Sequence, residues 1–143
     1  KTESEAYRHF FEVTLSRIQH IDCFDSLGHL DYVVRYGPNK NRQYYYKDYA
    51  DIIDSILKTL IQKGKALECN TGGFHYELNH PNPCEDILCR YRELGGELLT
   101  VGSDAHSPKF LGYEFNYTAS LLKQCGFSYY TIYHQRKPKF LPL

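Results

Sequence analysis

Asp104 and His106 form an Asp-x-His pair in the segment VGSDAHSP. A carboxylate and an imidazole separated by one residue at the frayed end of a strand can turn toward one ion, and together they suit Zn, Mn or Fe. An isolated pair of this kind has a simpler interpretation, a turn in which the Asp bonds its own backbone and the His is exposed. His29 in SLGHLD, which follows an earlier strand in the same way, favours the metal site.

His29 is followed two residues later by Asp31, which makes a second His and Asp pair. The Asp31 carboxylate either holds the other imidazole nitrogen of His29 or is an ordinary exposed acid at a strand end. A lone histidine is more often structural than a metal ligand. The interpretation of His29 as a ligand therefore rests on its position at a strand end, which matches that of Asp104 and His106.

Substrate-binding candidates follow the first two predicted strands. Arg35 lies nearest His29 in a loop that also carries Lys40 and Arg42, and its guanidinium suits a phosphate dianion. We treat the other two cations as surface residues. Glu68 and Asn70 in LECNTGG could bind hydroxyl or amine groups of a substrate, although Glu68 could instead pair with a neighbouring cation.

The long loop after Asn70 carries three ring side chains, His75, Tyr76 and His80. They are candidates for a lid or a substrate wall, and histidines in such a loop are more often on the surface than ligands.

Hydrophobic periodicity predicts four helices and four strands along the chain. The helices are expected over 3–19, 49–61, 83–94 and 118–125, and the strands over 21–30, 65–69, 97–102 and 129–133. Thr2 and Glu5 spell a capping box for the first helix, whereas Asn82 and Pro83 are the expected cap and first residue of the third. Alternating strands and helices indicate an α/β fold with a parallel sheet.

In such a sheet, chemistry collects at the carboxyl ends of the strands. His29, Glu68, Asn70 and the Asp104–His106 pair all follow predicted strands, and His134 follows the last one. We therefore expect these side chains to gather at one mouth of a barrel.

Composition excludes several classes of protein. The 143 residues carry 17 Lys and Arg against 17 Asp and Glu, so the basic footprint of a nucleic-acid or membrane-surface binder is absent. The sequence has no membrane-spanning apolar run and no signal peptide, which predicts a cytoplasmic protein. It also lacks a phosphate-binding P-loop, a dinucleotide fingerprint and a nucleophile elbow. The five cysteines contain no C-x-x-C pair, which favours free thiols.

Four segments together resemble the C-terminal part of the histidinol-phosphate phosphatases of the polymerase-and-histidinol-phosphatase (PHP) superfamily. They are GHLDYVVRYG, LECNTGGFHYELNHPNPCEDIL, LLTVGSDAHSPKFLGYEF and the closing HQRKPKFLPL. The resemblance implies a distorted (β/α)7 barrel with two or three divalent ions at its C-terminal mouth, and hydrolysis of L-histidinol phosphate to L-histidinol and phosphate in histidine biosynthesis.

By the same resemblance, His29 matches the metal-binding His of the GH-x-D motif, and Asp104 and His106 match the metal-binding pair of the SDAH motif. These three are the expected catalytic residues and metal ligands. Arg35 is the expected phosphate clamp, and Glu68 and Asn70 line the substrate site.

The chain departs from the family in one respect, because the family begins with an H-x-H motif that is absent here. A barrel of this kind needs about 200 to 250 residues, so residues 1–143 are expected to form a single, incomplete domain without the N-terminal strands. The expected partner is the missing N-terminal half, and the fragment alone is expected to be inactive. The alternatives are another phosphoesterase of the superfamily and a non-catalytic half-barrel.

Overall fold

The structure is a computed structural model that describes residues 2–143. Five α-helices and five strands alternate with short 3-10 helices. The helices are α1 (Glu3–His20), α2 (Ala50–Gln62), α3 (Gly72–His75), α4 (Glu85–Glu93) and α5 (Phe115–Gln124). The strands are β1 (Ser26–Leu27), β2 (Ala66–Asn70), β3 (Leu99–Gly102), β4 (Tyr129–His134) and β5 (Lys137–Pro142).

Helices α1 and α2 form because their sequences carry the expected local signals. Thr2 and Glu5 make the predicted capping box, in which the Glu5 amide donates to Thr2 Oγ1 at 3.2 Å and the Thr2 amide donates to Glu5 Oε2 at 2.8 Å. The apolar face of α2 is buried completely at Ile53, Ile56 and Leu60. These two helices pack against each other, and α2 also packs on β2.

Strands β1, β2 and β3 form the predicted parallel sheet in the order β1-β2-β3. Leu67 of β2 is paired with Leu27 and Leu99, and these side chains belong to the hydrophobic core beneath the helices. Because side chains alternate along a strand, the opposite face is polar. There Ser26 Oγ lies 2.9 Å from Thr100 Oγ1, across β2.

The last predicted strand does not extend this parallel sheet. Strand β4 pairs in antiparallel register with β5, which the sequence did not predict, and Gln135 and Arg136 form the turn between them at φ 48° and 63°. The Arg136 guanidinium then binds the carboxylate of Asp25, just before β1, at 3.0 Å. The prediction that His134 lies at the catalytic mouth is wrong, because the hairpin turn lies at the opposite, N-terminal edge of the sheet.

Two predicted boundaries also differ from the structure. The strand expected over 21–30 is reduced to Ser26–Leu27, and it ends there because His29, at φ 55°, turns the backbone out of the extended conformation. Helix α4 has Cys84 as its N-cap, and Asn82 and Pro83 precede it, joined by a cis peptide bond. Asn82 therefore does not cap this helix.

The expectation of five free thiols is wrong for one pair. Cys89 on α4 and Cys125 after α5 form a disulfide with Cα atoms 4.5 Å apart. Because the two cysteines are 36 residues apart, no local sequence motif indicates that they pair. Cys23, Cys69 and Cys84 are free.

Among residues 2–143, no helix combines the length and the hydrophobicity that crossing a lipid bilayer requires.

We expect Cys125→Ser to lower the free energy of unfolding by about 2–4 kcal/mol under oxidising conditions, because the disulfide restricts the unfolded chain. Urea titration followed by circular dichroism measures this change. With a reductant present, wild type and variant should unfold at the same urea concentration. Cys23→Ser, at an exposed free thiol, is the matched control and should change stability by about 0.5 kcal/mol or less.

Candidate active site

The Glu68 carboxylate occupies the polar face of the sheet, between the ends of the two neighbouring strands. A Cβ atom on Gly28 would lie 2.8 Å from Glu68 Oε2, and one on Gly102 would lie 3.2 Å from Oε1. The two glycines therefore leave the space that the carboxylate fills. The amide of His29 donates to Glu68 Oε2 at 3.3 Å, which ties the turn after β1 to β2.

Asn70 is the most constrained polar residue of this face and is only 2% exposed. Its backbone exchanges two hydrogen bonds of 2.8 Å with Asn82, and its Oδ1 accepts from the Gly72 amide at 2.8 Å. The Nδ2 group is thereby directed toward His29 Nδ1 at 3.3 Å and Glu68 Oε2 at 3.4 Å. Asn70 thus orients His29.

The amide of Asn70 fixes the tautomer of His29 in this conformation. Since Asn70 Nδ2 is a donor, His29 Nδ1 accepts, and a neutral ring then carries its proton on Nε2. A metal ion bound through Nε2 would require the other tautomer, with the proton on Nδ1, and therefore an acceptor for Nδ1 in place of the Asn70 amide.

Asp104 and His106 lie together in the loop after β3, with Asp104 Oδ1 and His106 Nε2 3.4 Å apart. Asp104 adopts φ 48°, and the His106 side chain is 78% exposed. This loop borders the Asn70 group, because a Cβ atom on Gly72 would lie 3.5 Å from the Asp104 Cβ and 2.8 Å from Asn70 Oδ1. The predicted gathering of side chains at the strand ends is thus observed as two adjoining groups.

The two groups do not make a complete metal site. Within the part of the chain that the structure describes, no three His, Cys, Asp or Glu side chains converge in a way that could hold an ion. The Asp104–His106 pair has the donor chemistry for one, since a carboxylate and an imidazole face each other and are accessible. The residues therefore fit part of the coordination shell of a metal.

Arg35 lies within a group of aromatic rings, one of which also contacts His29. Its guanidinium carbon is 4.0 Å from the ring centroid of Tyr76, and its Nη2 donates to the Tyr36 hydroxyl at 3.0 Å. The Tyr32 ring contacts both side chains. Its centroid lies 5.2 Å from the centroid of the His29 ring and 5.0 Å from the guanidinium carbon of Arg35. The sequence did not identify Tyr32 as the link between the two.

Asp31 has neither of its two predicted roles. It is fully buried and accepts from Asn82 Nδ2 at 2.8 Å, the Cys84 amide at 2.9 Å and the Tyr44 hydroxyl at 3.1 Å. Burial and the Asp31 carboxylate raise the pKa of Tyr44 well above its usual value. These partners are 13 to 53 residues from Asp31, so no local motif predicts them.

Two ring residues of the segment after β2, which the sequence predicted to be a loop, have different roles. The ring of His75, the last residue of α3, lies against the ring of Phe110 with centroids 3.7 Å apart and an interplanar angle of 37°, and this contact joins α3 to the segment that follows Asp104 and His106. His80 is only 7% exposed, so the general expectation of surface histidines fails for it. Phe110 was not predicted, since nothing in its local sequence distinguishes it from the other aromatic residues of the chain.

No family model matches the chain. Several curated relatives match it, and the chain spans about half the length of three of them. They are a probable histidinol-phosphatase of Clostridium acetobutylicum (32% identical, covering 87% of this chain and 48% of the relative), a histidinol-phosphatase of Lactococcus lactis (34%, 89% and 47%) and a probable histidinol-phosphatase of Thermotoga maritima (35%, 90% and 52%).

The fold is similar to a crystal structure of histidinol phosphate phosphatase from Lactococcus lactis, complexed with Zn, L-histidinol and phosphate. The TM-score is 0.85 at 32% sequence identity, and the match covers 97% of this chain and 52% of that one.

We expect Asp31→Ala to lower the free energy of unfolding by at least about 3 kcal/mol, because three buried donors lose their acceptor. Chemical denaturation measures the loss. Asp48→Ala removes a carboxylate from an exposed residue and should change stability by about 0.5 kcal/mol or less. Equal stability of the two variants would contradict the structural role of Asp31.

Proposed function

We propose that this chain, which is related to the histidinol-phosphatases in sequence and fold, supplies the C-terminal half of an active site that hydrolyses L-histidinol phosphate to L-histidinol and phosphate. One observation carries the proposal: His29, Glu68 and Asn70 meet at the carboxyl ends of parallel strands and adjoin the Asp104–His106 loop. The zinc, L-histidinol and phosphate bound to the Lactococcus lactis protein support the same substrate and a divalent ion here.

The proposed architecture is a distorted (β/α)7 barrel of which residues 1–143 form one incomplete domain. The polar face with Ser26, Glu68 and Thr100 is half-buried and would face the barrel interior. The missing N-terminal strands are then the required partner, either in the same chain or as a separate one. A net charge of zero supports a small-molecule substrate over nucleic acid or a membrane surface. The proposed location remains the cytoplasm, as expected from the sequence.

Asp104 and His106 would hold one divalent ion, and His29 would hold a second ion or share the first. Zn, Mn and Fe all suit carboxylate and imidazole ligands, and the complete enzyme would bind two or three ions. When bound, such ions lower the pKa of a coordinated water and neutralise charge on phosphate oxygens.

The remaining site residues would bind and orient the substrate. Arg35, held by aromatic rings beside His29, would bind phosphate oxygens through its guanidinium. Glu68 would accept a hydrogen bond from the amine or hydroxyl of the substrate. Asn70 lines the site, and since both ends of its amide already have partners, its contribution is to orient His29.

We expect Asp104→Ala in the full-length protein to lower the rate of phosphate release from L-histidinol phosphate by more than about 100-fold. Loss of a metal ligand should cost more than loss of a residue that hydrogen-bonds to a ligand, which typically costs about 10- to 100-fold. Bound metal, measured by atomic emission, should fall in parallel. Asp48→Asn is the control and should leave both values unchanged. Activity near wild type in Asp104→Ala would refute the assignment of this ligand.

We also expect residues 1–143 alone to release no phosphate and to bind transition metal weakly, because only part of the coordination shell is present. Addition of the N-terminal half as a separate chain should restore both properties. Full activity of the isolated chain would contradict the proposed half-site.

A further inference from the structure

A separate cavity of about 400 Å³ lies where strands β3 and β4 begin. Its wall combines one cation, one anion, one serine hydroxyl and three aromatic rings, from Arg92, Glu97, Ser128, Phe127, Tyr129 and Phe140. Glu97 precedes β3 and Asp104 follows it, so this cavity and the candidate active site lie at opposite ends of the strand. The volume is in the range that small-molecule sites usually occupy.

The guanidinium of Arg92 is held by the backbone on one side and is free on the other. Its Nε donates to the carbonyl oxygen of Gly126 at 3.1 Å and its Nη1 donates to that of Gly96 at 3.3 Å, which fixes the plane of the group. Its Nη2 makes no hydrogen bond with residues 2–143 but is not buried, and the side chain as a whole is 36% exposed. An oriented guanidinium with accessible N–H groups suits a carboxylate.

Glu97 places a negative charge beside this cation. Its Oε1 lies 3.7 Å from Arg92 Nη1, which is close enough for an ion pair but too far for a hydrogen bond. The Glu97 side chain is 69% exposed and forms no hydrogen bond with the described residues, so its oxygens can accept from a ligand. The cavity therefore presents a site for an anion next to a site for a cation.

The aromatic rings form the apolar part of the wall. Tyr129 and Phe140 are 53% and 48% exposed, and their ring centroids lie 6.4 Å apart in an edge-to-face arrangement. Phe127 is 5% exposed, and the guanidinium carbon of Arg92 lies 6.0 Å from its ring centroid, so the charged and apolar parts of the wall adjoin. A third ring that covers Tyr129 and Phe140 removes apolar surface from water and packs against both.

We propose that this cavity binds a free α-amino acid with an aromatic side chain. The ligand carboxylate accepts from Arg92 Nη2 and the Ser128 hydroxyl, its ammonium group donates to Glu97, and its ring contacts Tyr129 and Phe140. A ligand with a single charge matches only one member of the Arg92–Glu97 pair and is repelled by the other. This inference goes beyond the proposed hydrolysis and does not depend on it, since the cavity contains none of the proposed site residues.

The test is a titration of the chain with L-phenylalanine, followed by the backbone amide resonances of residues 96–97 and 128–129. L-Phenylalanine should shift these resonances with a dissociation constant of about 1 mM, the order expected for roughly twelve heavy atoms. Three probes each lack one recognised group: 3-phenylpropionate has no ammonium, phenethylamine has no carboxylate, and L-alanine has no ring. Each should bind at least about tenfold more weakly, by loss of one set of contacts.

A charge variant locates the binding. Glu97→Gln keeps the shape of an exposed side chain and should weaken L-phenylalanine binding about tenfold, whereas 3-phenylpropionate should bind this variant at least as tightly as wild type, because the repelling charge is gone. Glu12→Gln, at an exposed residue of α1, is the matched control and should leave the binding of both probes unchanged.

Three results would overturn the proposal. They are the absence of any shift at residues 96–97 and 128–129 with 20 mM L-phenylalanine, equal affinity for L-phenylalanine and any of the three truncated probes, and wild-type affinity for L-phenylalanine in Glu97→Gln.

Discussion

The candidate site depends on the hydrogen bonds that the buried carboxylate of Asp31 accepts. This carboxylate accepts from the side chain of Asn82, and Asn82 in turn holds the backbone of Asn70, whose amide contacts His29. His29 precedes Asp31 by two residues, so these contacts form a closed circuit from β1 to β2 and back. A closed circuit of hydrogen bonds with little exposed surface permits few alternative arrangements. The orientation of a candidate catalytic histidine is therefore set by an acid that is itself fully buried.

The chemistry of the site is divided between a constrained part and an accessible part. Glu68 and Asn70 are held by strand geometry and by glycines that leave them space, whereas the His106 side chain is largely exposed. The contact of His75 with Phe110 joins α3 to the segment that follows Asp104 and His106. The acceptors at the strand ends are therefore fixed by their surroundings, whereas the donor pair in the loop after β3 is open to solvent.

The sequence predicted those features that rest on local chemistry. The capping box of α1, the amphipathic face of α2 and the three parallel strands follow from residue spacing, and all are present. The resemblance of SDAH and GHLD to a known family identified the candidate ligands. The failures share a cause, since the roles of Asp31, the Cys89–Cys125 pairing and the antiparallel partner of β4 depend on contacts between residues distant in the chain. Hydrophobic periodicity shows which residues share one face of a helix or strand, and it carries no information about such distant contacts.

The attachment of the C-terminal hairpin to the start of the sheet affects the order in which the molecule can assemble. The ion pair between Arg136 and Asp25 joins residues 111 positions apart, and the Tyr133 hydroxyl donates to the carbonyl of Asp25 at 3.3 Å. Closing so long a loop has an entropic cost that local contacts do not have, so we expect these bonds to form after the helices and the parallel strands. On a ribosome, Asp25 emerges long before its partner has been synthesised. The hairpin therefore fastens β1 only after residues 133–136 have been synthesised.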